Sequence, residues 1–145
     1  MERYTVCGHS AIGKSHEIKG MKCQDNCYFK VTENIIVAAV ADGLSSSKYS
    51  DIASRIAVKT IVNYCIKNIN YKDKEEIILE KIKRSFEQAL LQIELKAGED
   101  DLNFYDTTVS VPLTVRLSFS VAYAILMCIK GWLKHELIVL CSPPL

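Results

Sequence analysis

Asn34-Ile35-Ile36-Val37-Ala38-Ala39-Val40-Ala41-Asp42-Gly43, residues 34–43, is the stretch on which the reading of this chain turns. An unbroken apolar run bounded by polar residues predicts a strand buried on both faces. The run stops at Asp42-Gly43 and gives way to a polar loop, Ser45-Ser46-Ser47. A carboxylate placed where a buried strand leaves the core is rigidly held yet meets solvent. A glycine directly after it lets other backbone approach closely, and its carbonyl can then serve as a ligand. Carboxylate and carbonyl oxygens are what hard divalent cations such as Mg²⁺ and Mn²⁺ prefer. Taken alone, Asp-Gly is equally an ordinary turn dipeptide.

Working outward, Tyr4–Ile12 and Asn26–Thr32 alternate as strands do, each bounded by Gly or polar turn residues. After the serine loop a helix is predicted from Ser50, read as its N-cap, with Asp51 in the first turn. Ile52, Ile56, Ala57, Val62, Cys65, Ile66 and Ile69 give it an apolar stripe. A second helix is predicted from near Asp73, with Glu76 completing a variant capping box. Its buried face is read as Ile78, Ile82, Phe86, Leu90 and Ile93, and Gly98 stops it. Asp106–Val111 reads as a further strand. Leu117–Ile129 holds 13 uncharged residues in a row, short of the roughly 18 that span a bilayer, and reads as one or two buried strands.

Composition narrows the function classes. The chain has 145 residues, 49% hydrophobic and 24% charged, which suits one ordinary globular domain. Its 18 Lys and Arg against 17 Asp and Glu give a net charge of +1, with no basic excess to hold a nucleic-acid backbone. The first ten residues lack the apolar core of a signal peptide, so a cytoplasmic location is expected, with no membrane partner. Six cysteines, at 7, 23, 27, 65, 128 and 141, show no framework spacing and read as free thiols. Cys7-x-His9 with Cys23-x₃-Cys27 could also be assembled into a zinc site, although the spacing is irregular.

Two stretches taken together are far more specific than either alone. Gly13-x-Ser15-His16, then Gly20-x-x-Cys23-Gln24-Asp25, precede the apolar strand ending Val40-Ala41-Asp42-Gly43. A serine-rich turn follows, with Ser50-Asp51 opening a helix, and Asp106-Thr107-Thr108-Val109-Ser110-Val111 comes after two helices. In this order the motifs resemble the type-2C (PPM) protein phosphatases, in particular the bacterial branch with a Gly-x-Ser-His and Cys-Gln-Asp opening. The resemblance spans about residues 4–111. It implies an α+β fold, a four-layer α-β-β-α sandwich, and metal-dependent hydrolysis of phosphoserine and phosphothreonine in protein substrates. It also implies two Mn²⁺ or Mg²⁺ ions sharing an activated water, with Asp42 bridging them and the Gly43 carbonyl a ligand. Asp25 would hold metal-bound water or a further cation, and Asp42 and Asp25 are the catalytic candidates.

The departures from that pattern carry their own expectations. Many family members place an Arg for substrate phosphate five residues before the position of Asp25; here Gly20 stands there. Lys19 and Lys22 are then phosphate-binding candidates as point charges, or plain surface lysines. His16 is a third candidate, as a proton donor or as a side chain that organises the Asp25 loop. The family also supplies metal-binding aspartates from beyond the Thr-Thr strand, one in a Gly-Asp pair. After Asp106 this chain has a single acid, Glu136, and no Gly-Asp. Residues 1–108 hold 31 of the 35 charged side chains. We therefore read 1–111 as the N-terminal part of the domain and the fold as incomplete. Residues 112–145 read as an atypical apolar tail in a non-native reading frame, with a genuine short paralogue as the competing account. A half-finished sheet should also self-associate through its exposed edge. An inactive module that binds a phosphoprotein or another partner is the alternative function.

Overall fold

The computed structural model describes residues 6–115 in full and the backbone of residues 121–128 and 136–141. Over these residues the protein is α+β, an antiparallel sheet with helices packed on one side. The chain runs α1 (Lys14–Ile18), β1 (Asn26–Val31), β2 (Ile35–Gly43), α2 (Ser50–Asn68) and α3 (Glu75–Ala97). A short 3₁₀ turn at Leu102–Tyr105 leads into β3 (Thr107–Ser110), β4 (Leu113–Val115), β5 (Val121–Cys128) and β6 (Glu136–Cys141). The strand order is β1-β2-β3-β5-β6, with β4 also on β2.

β1 and β2 form a hairpin closed by Thr32. Its N–H donates to the Ile35 carbonyl at 2.8 Å, and its hydroxyl accepts the Ile35 N–H at 3.0 Å. β3 and β4 are in effect one strand: Gly43 pairs with Thr107, Val40 with Ser110, and Val37 with Leu113, all in one register. Pro112 interrupts it only because it lacks an N–H; its carbonyl still accepts from Ala38 N–H at 3.0 Å. The strand expected at Asp106–Val111 therefore continues past Pro112, and Leu113 is buried.

The core lies between one face of β2–β4 and the helices. Val37, Ala39 and Ala41 alternate inward and meet Ala57, Val58, Ile61 and Val62 of α2; α3 packs on α2 through Ile82, Phe86 and Ile93. This corrects the reading of β2 as buried on both faces. Its other face carries Ile36, Ala38, Val40 and Asp42, and Val40 is 52% exposed. Among the described residues no second sheet covers that face.

Other expectations are also corrected. Residues 6–12 form no strand, and Tyr4 and Thr5 lie outside the described residues. The segment instead crosses the sheet, where a Cβ on Gly8 would stand 3.4 Å from Cys27 Sγ and 3.5 Å from the Phe29 ring. α1 was not anticipated, since none of its five residues is buried and no apolar stripe announces it. α2 is capped by Tyr49 rather than Ser50, and α3 by Lys74 rather than Asp73. The Asp73 carboxylate is engaged elsewhere, accepting Asn70 N–H at 2.7 Å and Lys81 Nζ at 2.6 Å. Gly98 does end α3, at φ 59°. The expected burial of 117–129 and the state of Cys128 and Cys141 lie outside the described residues, although strands are present at Val121–Cys128 and Glu136–Cys141.

Candidate functional site

The site begins with register. Asn26 pairs with Ala41 and Cys27 with Val40. Carrying that ladder one residue back sets Asp25 opposite Asp42, on the sheet face away from the helices. An open cleft of ≈ 490 Å³ lies there, lined by Gly8, His9, Ser10, Ala11, Asp25, Cys27, Val40, Ala41 and Asp42. Desolvation in this cleft, then a hydrogen bond with Asp25 and the charge of Asp25, hold the Asp42 carboxyl above its usual value.

Three contacts fix Asp42 and Gly43. The Thr107 hydroxyl donates to the Asp42 carbonyl at 2.8 Å, with the Thr108 hydroxyl at 3.4 Å. The pair of threonines therefore pins the backbone from which the carboxylate projects. Leu44 N–H donates to the Asp106 carbonyl, so Gly43 and Thr107 form a non-hydrogen-bonded pair. The Gly43 carbonyl then points away from β3, toward the side where residues 24 and 25 run. Gly43 itself is required by crowding: a Cβ there would lie 2.6 Å from the Gln24 carbonyl oxygen and 3.0 Å from Ser50 Cβ.

The loop after Gly43 is anchored in turn. Ser47 Oγ donates to the Asn103 carbonyl at 3.0 Å and stands 3.5 Å from Asp106 Oδ2; Tyr49 N–H donates to the Phe104 carbonyl at 2.7 Å. The serines at 45–47 therefore differ in role: Ser47 is buried and structural, while Ser45 and Ser46 are exposed.

The structure thus brings Asp25, Asp42 and Gly43 together. It does not bring Lys19, Lys22 or His16 into the cleft. Lys19 caps the end of α1, His16 lies within it, and Lys22 is largely exposed, with Nζ 3.8 Å from Asp51. His9, a zinc candidate in the sequence, is among the residues that line the cleft. The oxygen donors present, two carboxylates and a backbone carbonyl, fit one hard divalent cation with water completing its shell. Among the described residues no group of three or more His, Cys, Asp or Glu converges as a metal cluster, so a second ion has too few anionic partners there.

An antiparallel sheet with helices on one side, and with Asp42 at the end of β2 opposite Asp25 and held by Thr107 and Thr108, is compatible with a phosphatase fold. The family model described as protein phosphatase 2C matches residues 12–125, and the chain belongs to that family. No curated protein matches the chain, and no solved structure does. Within the described residues no helix is long and apolar enough to cross a membrane.

Proposed function

We propose that the site serves Mn²⁺- or Mg²⁺-dependent hydrolysis of phosphoserine and phosphothreonine in a protein substrate, and that this chain carries only part of it. The observation that carries the reading is the placing of Asp25 opposite Asp42 beside the Gly43 carbonyl, within a family whose activity is phosphatase. A divalent cation held by these oxygens supplies activation of water and neutralisation of phosphate charge. The residues of the chain do the rest. Thr107 and Thr108 aim Asp42, and the close approach at Gly43 seats Asp25. Lys19 and Lys22, outside the cleft, would draw the phosphate in by charge rather than grip it, and His16 would meet it there as a hydrogen-bonding side chain.

The four-layer sandwich belongs to the same proposal: the bare face of β2, with Val40 exposed, is where a second sheet would lie. The missing acids after Asp106 are read as a departure from family sequence within residues 112–145. We place that departure in the later part of the segment, a reading supported by the in-register Leu113–Val115 and the family match through residue 125. Until it is covered, the bare face and the β1 edge favour self-association, which sedimentation velocity at tens of micromolar would register. A cytoplasmic setting is part of the same proposal.

The test is hydrolysis of p-nitrophenyl phosphate with Mn²⁺, by the parent and by Asp42→Asn, alongside Mn²⁺ binding. Weak Mn²⁺ binding that Asp42→Asn abolishes, with little turnover, is the expected result. Robust turnover lost in Asp42→Asn would show the site to be complete and overturn the partial-site reading; Mn²⁺ binding unaffected by Asp42→Asn would overturn the metal assignment. Absent turnover with retained phosphopeptide binding favours the second reading, a binding module, for which the lone acid after Asp106 is the supporting observation.

A further inference from the structure

We propose that Ser54, in the second turn of α2, is a positioning residue that holds Asp25 against Asp42 by fastening the two residues on either side of it. Ser54 is fully buried. Its hydroxyl donates to the Gln24 carbonyl at 2.6 Å and accepts from Asn26 Nδ2 at 2.8 Å. Gln24 and Asn26 flank Asp25 in an extended segment, where neighbours point to opposite faces. Fastening both of them to the helix side leaves Asp25 on the other side, in register with Asp42.

Two further contacts point the same way. Gln24 Nε2 donates to Ser50 Oγ at 2.8 Å, and Ser50 Oγ donates to the Ser47 carbonyl at 3.1 Å. The absent side chain of Gly43 leaves the space that the Gln24 carbonyl occupies. One helical serine therefore ties α2 to the acid pair without touching either carboxylate. The Ser54 hydroxyl also lies 3.3 Å from the Asp51 carbonyl of its own helix, but a Val or Ala at this position would leave the Gln24 carbonyl and the Asn26 amide without this partner.

The assignment deepens the metal reading above and rests on it only for the purpose of the acid pair; the geometry itself can be tested without metal. Two carboxylates held in opposition repel, so Asp42→Asn in the metal-free full chain at pH 7.5 should raise the melting temperature by roughly 2 °C or more. In a Ser54→Ala background Asp25 is free to swing away, and the gain from Asp42→Asn should fall to half or less. Ser54→Thr, which keeps the hydroxyl, should restore the full gain. If Ser54→Ala does not fold, Asn26→Ala removes one of the two fastenings and should shrink the gain in the same way.

An unchanged gain in these backgrounds, or no gain in the parent, overturns the proposal, because a merely structural serine gives additive effects. A Mn²⁺ titration followed by electron paramagnetic resonance is the second arm. Ser54→Ala should weaken binding by roughly 10-fold, as loss of a side chain supporting a ligand does. Mn²⁺ binding by Ser54→Ala equal to that of the parent counts against the positioning role. No Mn²⁺ binding by the parent counts against the metal reading, and the melting-temperature cycle still decides the role of Ser54.

Discussion

Gly43→Ala is the substitution whose cost can be worked most directly. The backbone there is not in the left-handed region, so alanine meets no conformational penalty and the effect is purely steric. The added methyl would stand 2.6 Å from the Gln24 carbonyl oxygen, 2.9 Å from Gln24 Cβ and 3.0 Å from Ser50 Cβ. Relief requires a shift of main chain, because the nearest atom is backbone and is itself bonded to Ser54. Overpacking of this kind costs roughly 1–3 kcal/mol. At about 3 °C per kcal/mol for a chain of this size, the melting temperature should fall by roughly 3–9 °C. Gly13→Ala is the control, since nothing lies within 4 Å of the methyl it would add. Thermal unfolding by circular dichroism reads both, and Mn²⁺ binding should weaken only in Gly43→Ala, where the neighbour of Asp25 is displaced. A Gly43→Ala protein melting within about 1 °C of the parent would refute the close-approach argument, since overpacking would then carry no cost.

Asp42 gives a pH dependence with a definite sign. Its folded value is raised above 3.8 by desolvation and then by Asp25, so its contribution to stability is fully present below 3.8 and lost as pH rises through the raised value. Asp42→Asn should therefore be more stable than the parent at pH 7, with the difference closing as pH falls toward 3.8; a melting-temperature difference that widens in acid contradicts this. Asp73 has the opposite sign: the hydrogen bond from Lys81, then that from Asn70 N–H, lowers its value, so its stabilisation is present above 3.8 and lost as pH falls through the lowered value. Asp73→Ala should cost about 1–2 kcal/mol at pH 7 by urea unfolding, and less in acid. Burial pushes the Cys65 thiol up to about 11 despite the hydrogen bond with Ser85. At pH 8 Ellman's reagent should modify exposed Cys7 first and leave Cys65 untouched until the protein unfolds; early modification of Cys65 would contradict its burial.

The elements that periodicity governs were legible. α2, α3 and the β1–β2 hairpin lie within a residue or two of the expected positions because apolar spacing and turn residues agree there. What the apolar pattern misreads is which face counts. α2 lies on the sheet with α3 packed against it, so its buried set runs through Ala53, Ser54, Ala57, Val58 and Ile61, while Ile52, Ile56 and Ile66 are only partly covered. Small and polar residues carry no hydrophobic signal, so Ser50 and Ser54, which fasten the site, were invisible to it. β2 misled in the other direction. Its unbroken apolar run reads as a strand with two covered faces, yet among the described residues one face is open, with Asp42 at its end.

The acids themselves, Asp25 and Asp42, were found by motif, yet their juxtaposition rests on a ladder register that no local pattern specifies. The ladder on the other side of β2, with β3 and β4, explains why Pro112 is a poor boundary. A proline whose carbonyl still accepts from Ala38 does not end a strand that resumes at Leu113 in the same register. Composition located the change in the chain near residue 112, and hydrogen bonding carries the sheet past it. On the proposed reading the loss of acids lies beyond the strand that Leu113–Val115 continues. A second reading frame encoding a Gly-Asp strand should be sought beyond the codons for Leu113–Val115 rather than immediately after Val111.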